Sequence, residues 1–313
     1  MMPISTATPG PSPRTPADRP VIRPGRWSIF PDTADGYERD GQKAPRLMVP
    51  VDGRRLLTLY PPLPLKREPV DIANDSDGNV IADWLGQHCC RAVLSGHMLA
   101  VHGLSRPCRI PVELRQDDAA LQIIVTVKER LLVPLIVHSV EHGPLHKTRM
   151  TSAMLGAMID AANRILEPQA NVSLSVIDER PLSHETIGKR LGRTVTARPG
   201  DAPDEWDLVT QRADRTGQPR LLNLFLVRRY DEPGSAPRGA TANGCTIIED
   251  HIRGGQLDAA AAGRTLAHEV GHHLADLPDL KDPGDTERLM YWKEGGDRIT
   301  ADEADRMNPR GVR

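Results

Sequence analysis

Residues 259–276 read AAAAGRTLAHEVGHHLAD. The four alanines favour helix entry, and Leu266, Val270 and Leu274 recur at four-residue spacing as an apolar stripe. His268 and His272 fall on a different face from that stripe, one turn apart and in line. Glu269 stands beside the first of them. His273 lies on the apolar side and is read as a packed core histidine. A helix built this way needs an apolar layer beneath its stripe and a cleft beside its histidines.

The layer is supplied upstream. LLVPLIVHSV (131–140) reads as a buried strand. MTSAMLGAMIDAANRIL (150–166) follows, with apolar residues at Met150, Met154, Leu155, Met158, Ile159, Ala162 and Ile165, and Pro168 is expected to end that helix. NVSLSVI (171–177) and RLLNLFLVRRY (220–230) read as further strands, and GATANGCTIIED (239–250) as an edge strand. The order strand, helix, strand, strand, strand, helix predicts an α+β domain over residues 131–313, with a helix packed under a mixed sheet.

Residues 45–130 have a different texture. RLMVPV (46–51), RRLLTLY (54–60), NVIADW (79–84), HMLAVHG (97–103), CRIPVEL (108–114) and LQIIVTV (121–127) are short apolar or alternating runs. Turn clusters such as Asp52-Gly53, Asn74 to Gly78 and Gln116-Asp117-Asp118 separate them. This predicts an all-β sandwich. DSDGNVIADW, GHMLAVHGLSRPCRIPVEL and LQIIVTVKE together resemble the later strands of a bacterial immunoglobulin-like module, over about sixty residues. Residues 1–44 are rich in Pro, Gly, Ser, Thr and Asp and are expected to be a flexible lead-in, with room for a short anchored piece at Trp27 to Phe30.

Composition narrows the field. Hydrophobic residues make up 39%, charged residues 26% and aromatics 3%, with a formal net charge of −2. The balance leaves no electrostatic footprint for nucleic acid. No stretch approaches the ~20 apolar residues of a membrane span. The start, MMPISTATPGPSPRTPADRP, has no apolar core of a signal peptide, so cytoplasmic synthesis is expected, with export by a signal-independent route left open. Cys89, Cys90, Cys108 and Cys245 form no CxxC pair; free buried thiols are the expectation, and the three possible pairings stay open.

Two imidazoles one helical turn apart can share a metal ion, and an adjacent glutamate can take a proton from water at that ion. Imidazole nitrogen suits zinc, and a catalytic zinc needs three protein ligands and one open position. His268 and His272 are therefore candidate ligands and Glu269 the candidate general base. A straight helix would carry Asp276 roughly 12 Å from His268, so the chain has to turn sharply after His272.

At this point the sequence resembles the metzincin clan of zinc peptidases, whose motif is HExxHxxGxxH or a variant ending in Asp. The resemblance covers roughly residues 131–313. It implies that the helix stops at a terminator, that the last motif residue returns as third ligand, and that a Met-turn lies under the metal. Leu289-Met290-Tyr291 looks like that turn, with Met290 beneath the site and no direct ligation implied. ANRILEPQANVSLSV looks like the helix-to-strand segment ahead of the site. The family's glycine position falls on Ala275 and its third-ligand position on Pro278, which cannot bind a metal. A shift of one residue repairs both: Asp276 in the left-handed conformation as terminator, Asp279 as oxygen ligand. Asp276 itself, then Asp282 or Asp285, are the alternatives. The same resemblance makes Asn243, Gly244, Cys245, Thr246 and Ile247 the expected edge over the cleft, where an extended peptide adds as a strand.

Other signals receive structural readings. His138, His142 and His146 are taken as solvated loop histidines because Gly143 and Pro144 interrupt any helix. Arg106-Pro107-Cys108-Arg109 faintly resembles an inhibitory propeptide segment but fits a sandwich strand better. Thr300-Ala301-Asp302-Glu303 is a capping box. The expectation is thus a zinc endopeptidase acting on protein or peptide, its β domain able to meet a protein partner. The competing readings are a thermolysin-like hydrolase with Glu294 or Glu303 as third ligand, and a non-enzymatic adhesion protein with a silent metal site.

Overall fold

A computed structural model describes residues 28–29, 36–38, 45–60, 80–84, 87–95, 98–116, 119–141, 147–183, 195–196, 205–214, 217–218, 220–231, 238–293 and 296–310. Among these, helices and sheets combine in an α+β arrangement.

Among the described residues the regular elements of the first half are all strands: β1 (Ser28–Ile29), β2 (Tyr37–Glu38), β3 (Arg46–Pro50), β4 (Arg54–Tyr60), β5 (Val80–Trp84), β6 (Gln87–Ser95), β7 (Met98–Gly103), β8 (Cys108–Gln116) and β9 (Ala119–Lys128). They form two sheets, ordered β1-β4-β7-β6-β5 and β2-β3-β9-β8. Alternation explains the common core. In β7, Leu99, Val101 and Gly103 are buried while Met98, Ala100 and His102 are not. Leu47, Val49, Leu57, Leu99, Val101, Ile110, Ile123 and Val125 from both sheets join one apolar cluster. β6 went unread in the sequence. β1 falls on the anchored piece expected at Trp27 to Phe30 and adds to β4 as an edge strand, while β2, which was not expected, adds to β3.

Cys89 and Cys108 are joined by a disulfide across that core, 6.1 Å apart at Cα, while Cys90 and Cys245 are free and buried. Free thiols were expected throughout, so half of that expectation fails. Cys89 and Cys108 are brought together only by folding, because the pairing depends on β8 crossing over β6. Burial pushes the Cys90 thiol up to about 12, leaving it an inert apolar filler.

The second half carries β10 (Leu131–Glu141), α1 (Ser152–Ala170), β11 (Val172–Ser183), β12 (Val195–Thr196), α2 (Glu205–Thr210), β13 (Leu222–Val227), β14 (Tyr230–Asp231), β15 (Gly239–Ala242), β16 (Cys245–Glu249), the hairpin β17 (Ile252–Arg253) and β18 (Gln256–Leu257), α3 (Ala259–Ala275) and α4 (Ala301–Met307). The main sheet runs β11-β10-β13-β16-β15, parallel except for β15. β13 is buried at every position, as a parallel strand covered on both faces should be. Leu222, Leu224 and Leu226 face α1 and α3, while Phe225 and Val227 face Trp206 and Val209 of α2. His138 sits on β10, 1% exposed, stacked on Phe225 at 4.4 Å and bonded to Asn223 Oδ1 at 3.1 Å. It is a core residue, not a solvated one: it lies within the strand read at 131–140, before the Gly143-Pro144 interruption. His142 and His146 lie outside the described residues.

Two further expectations are corrected. α1 does not stop before Pro168 but carries it in its last turn. Its end is set instead by Asn171, left-handed at φ 52°, whose N–H reaches the carbonyls of Glu167 and Leu166. GATANGCTIIED is not one strand but a hairpin. Asn243 and Gly244 take positive φ of 51° and 75° and form its two-residue turn. Cys245, Thr246 and Ile247 then lie on β16, bonded to β13 on one side and β15 on the other. Neither edge of that stretch is open to another chain. Among the described residues the edge on that side of the sheet belongs to β15.

Candidate metal centre

The C-terminal turn of α3 is where the polar side chains gather. The helix is capped at its start by Asp258, whose side chain accepts from Ala261 N at 3.0 Å. Its apolar stripe, Leu266 and Val270 among it, sinks into the cluster shared with α1 and the sheet. That packing turns His268 and His272 outward to half-buried positions, with 16% and 25% of their side chains exposed.

The helix ends abruptly. Asp276 adopts φ 48°, ψ 45°, and its N–H reaches back to the carbonyls of Gly271 and His272. Asp tolerates this left-handed conformation because its side chain is short and polar. Leu277 then plunges back into the core at 3% exposure, and Leu280 exchanges backbone hydrogen bonds with the Met290 carbonyl (2.8 Å) and the Trp292 N–H (3.0 Å). Between these two anchors Pro278 and Asp279 project over the histidines.

The result is a convergence of three donor atoms. His268 Nε2 and His272 Nε2 are 3.1 Å apart. Asp279 Oδ1 lies 3.1 Å from the first and 3.4 Å from the second. Each ring is held from behind: Nδ1–H of His268 donates to the Leu289 carbonyl at 2.7 Å, and Nδ1–H of His272 to the Leu277 carbonyl at 2.5 Å. A carbonyl can only accept, so these contacts place a proton on Nδ1, and in the neutral rings the Nε2 lone pairs then face one another and a carboxylate. Three acceptors so close are mutually repulsive unless something positive lies between them. The edges of a tetrahedron of zinc ligands, with bonds of about 2.0–2.1 Å, are roughly 3.3 Å. The donor set and its spacing fit a divalent cation of that kind.

Glu269 is the other acidic group in reach, and its ligand atom lies within 4.8 Å of those of the two histidines. Asp279 Oδ1 stands 3.1 Å and 3.4 Å from the two ring nitrogens and is the other candidate ligand beside them. Glu269 is 4% exposed, and its Oε2 has no hydrogen-bond partner. Burial raises its pKa, against the opposing pull of His268 and His272. Burial also acts to lower both imidazoles, but the Asp279 carboxylate and Glu269 outweigh it, and both end above their ordinary value. Asp279 is correspondingly held well below the usual carboxylate range by His268 and His272.

Met290 is 1% exposed and lies under α3. A Cβ built on Gly271 would stand 2.5 Å from its sulfur, so only glycine lets the helix rest on that methionine. Sequence spacing did not single out Gly271, though a glycine inside a helical pattern is itself a signal of close approach. Thr241 was missed as well. It stands on the edge strand β15 and its hydroxyl contacts Thr246 Oγ1 (2.7 Å) and the Glu269 carbonyl (3.4 Å), which puts that strand beside Glu269. Of the competing third ligands, Glu303 has both oxygens committed, to Arg288 and to Thr300 N. Asp282 caps the short 3-10 turn at Gly284 and Asp285 pairs with Arg288. Glu294 lies outside the described residues. His273 is partly buried with its ring toward the Arg220 carbonyl, away from the cluster.

No family model matches the chain. A curated relative, an extracellular metalloprotease from Colletotrichum graminicola (strain M1.001 / M2 / FGSC 10212), is 30% identical over 118 residues, which cover 34% of this chain and 42% of that protein. The chain therefore spans less than half the length of the relative it matches.

Proposed function

We propose that this chain is a zinc-dependent endopeptidase of metzincin-like build, with His268, His272 and Asp279 as metal ligands and Glu269 as general base. One observation carries the reading. Two imidazoles with their outer nitrogens tied to carbonyls aim their remaining nitrogens, together with a carboxylate oxygen, at one point beside a buried carboxylate whose Oε2 lacks a partner. The similarity to a protein named as an extracellular metalloprotease agrees with it.

Bound zinc would supply a Lewis acid that polarises a peptide carbonyl and acidifies a water. The rest is done by the chain. Glu269, its pKa raised by burial, accepts the proton of the attacking water through Oε2 and returns it to the leaving amine. The two Nδ1 contacts keep the rings from turning. Asp279, with 46% of its side chain exposed, marks the solvent side from which a substrate enters. The substrate strand would pair with β15, Gly239–Ala242, and not with the inner stretch Cys245–Ile247.

The N-terminal strands, residues 45–130, fit an immunoglobulin-like module attached to a peptidase unit of residues 131–313. The Cys89–Cys108 disulfide favours maturation in an oxidising compartment. The test is zinc content and cleavage of casein by the purified chain. About one zinc per chain and hydrolysis are expected, with Glu269→Ala keeping the zinc and losing at least about a hundredfold in rate. A wild-type protein that takes up no zinc, or that cleaves as well without Glu269, refutes the proposal. The thermolysin-like alternative is disfavoured by Glu303, whose two oxygens are already engaged.

A further inference from the structure

The short helix α4 touches the candidate metal centre from behind. Nη2 of its Arg306 donates to the Ala275 carbonyl at 2.6 Å and the Asp276 carbonyl at 3.2 Å. These belong to the C-terminal end of α3, where carbonyls lose their intrahelical partners and the helix dipole favours a cation. Asp276 is also the left-handed residue that reverses the chain, and Asp279 follows only three residues later.

α4 reaches the other side of the centre too. Glu303 pairs with Arg288 at 2.7 Å, next to Leu289, whose carbonyl receives the His268 Nδ1–H. The helix itself is held by the first half of the chain. Asp305 pairs with Lys128 of β9 at 2.9 Å and with Arg109 of β8, and Asp302 pairs with Arg46 of β3 at 2.5 Å. Ala304 and Met307 are buried in the main core.

We infer that Arg306 is a positioning residue for the metal centre: it holds the Ala275–Asp276 turn that presents Asp279, and the N-terminal β strands brace it there through α4. The inference rests on the metallopeptidase reading. It gives the β strands an intramolecular task, supporting the ligand turn, that needs no outside partner. Arg306 is exposed and its contacts are to backbone, so its removal costs the fold little while loosening the turn.

The test uses the full chain and two readouts besides activity, zinc affinity by chelator competition and the visible spectrum of the cobalt-substituted protein. Arg306→Met is expected to bind zinc about tenfold more weakly, the loss typical of a group that orients a ligand. Its cobalt bands should be altered and its urea midpoint kept. Arg306→Lys, which keeps a donor on a flexible stem, should recover part of the affinity and the spectrum. Arg310→Met, which removes an exposed contact to Glu129, serves as a control and should change neither. If Arg306→Met matches wild type in affinity and spectrum, the positioning role is wrong while the metal site stands. The role is equally wrong if affinity falls only together with the urea midpoint and Arg306→Lys restores nothing. If wild type itself binds no zinc, the metallopeptidase reading falls and takes the inference with it.

Discussion

Two polar clusters lie on either side of α4, and they are built on opposite principles. At the junction of the two halves, Lys128 is 1% exposed yet complete: its ammonium meets Asp305 Oδ1 at 2.9 Å and the Asn308 carbonyl at 2.6 Å. Asn308, fully buried, donates to the carbonyls of Glu129 (3.0 Å) and Ala170 (2.9 Å). Donors face acceptors, and nothing is left over. Burial lowers the Lys128 pKa while Asp305 supports its charge. At the end of α3 the acceptors face one another, and a buried carboxylate oxygen has no partner. A satisfied network holds a fold together; an unsatisfied one that the fold goes to the trouble of rigidifying is where a ligand belongs.

The contrast breaks cleanly under mutation. Glu269→Gln should lower peptide hydrolysis by about 100- to 10,000-fold, since a positioned base contributes that much. It should leave the urea midpoint equal or higher, because a buried acid with a raised pKa becomes a neutral amide. Asp305→Ala should do the reverse. Leaving Lys128 buried without its carboxylate costs about 3–5 kcal/mol, read as a drop in the urea midpoint. If Asp305→Ala were neutral, or Glu269→Gln strongly destabilising, the two clusters would have been assigned the wrong way round.

The disulfide sharpens the comparison within the first half. Cys89–Cys108 closes a loop with a sequence separation of 19. Replacing both with alanine should cost about 3 kcal/mol on the loop-entropy model. Chemical denaturation of the double variant checks it, and zinc content per folded chain should stay the same.

The smallest effect concerns the other end of α3. His251 is fully buried, its Nε2 meets Thr265 Oγ1 at 3.2 Å, and burial, helped by Arg238 and Arg264 against Asp258, takes its pKa down to about 4. The unfolded chain binds this proton near the ordinary value of 6.5 and the folded chain does not. Acid therefore favours unfolding: the stability is complete above pH 6.5 and is lost as the pH falls toward 4. Between pH 7 and 5 the loss should be about 2 kcal/mol, and His251→Gln should flatten that part of the profile. Asp250, raised by burial, titrates in the opposite sense and is common to both proteins.

Local signals in the sequence carried much of this. The spacing of His268 and His272, the apolar stripe beside them and the need for a reversal after His272 are all properties of a single helix and its end; the family resemblance put that reversal at Asp276, and the chain does turn left-handed there. What escaped depends on partners distant in sequence. Alternation shows that Cys245–Ile247 is a strand but not which strand lies outside it, so β15 and Thr241 were overlooked in favour of a stretch that proved internal. The Cys89–Cys108 pairing, the burial of His138 against Phe225 and the edge-strand role of β2 are likewise set by tertiary neighbours. Gly271 makes sense only once Met290 is beneath it.

X-ray absorption at the zinc edge of the purified chain tests the central claim most directly. The predicted first shell holds two imidazole nitrogens and a carboxylate oxygen, and loses one imidazole in His272→Ala. A chain that carries no zinc, or a zinc shell that His272→Ala leaves unchanged, would contradict it.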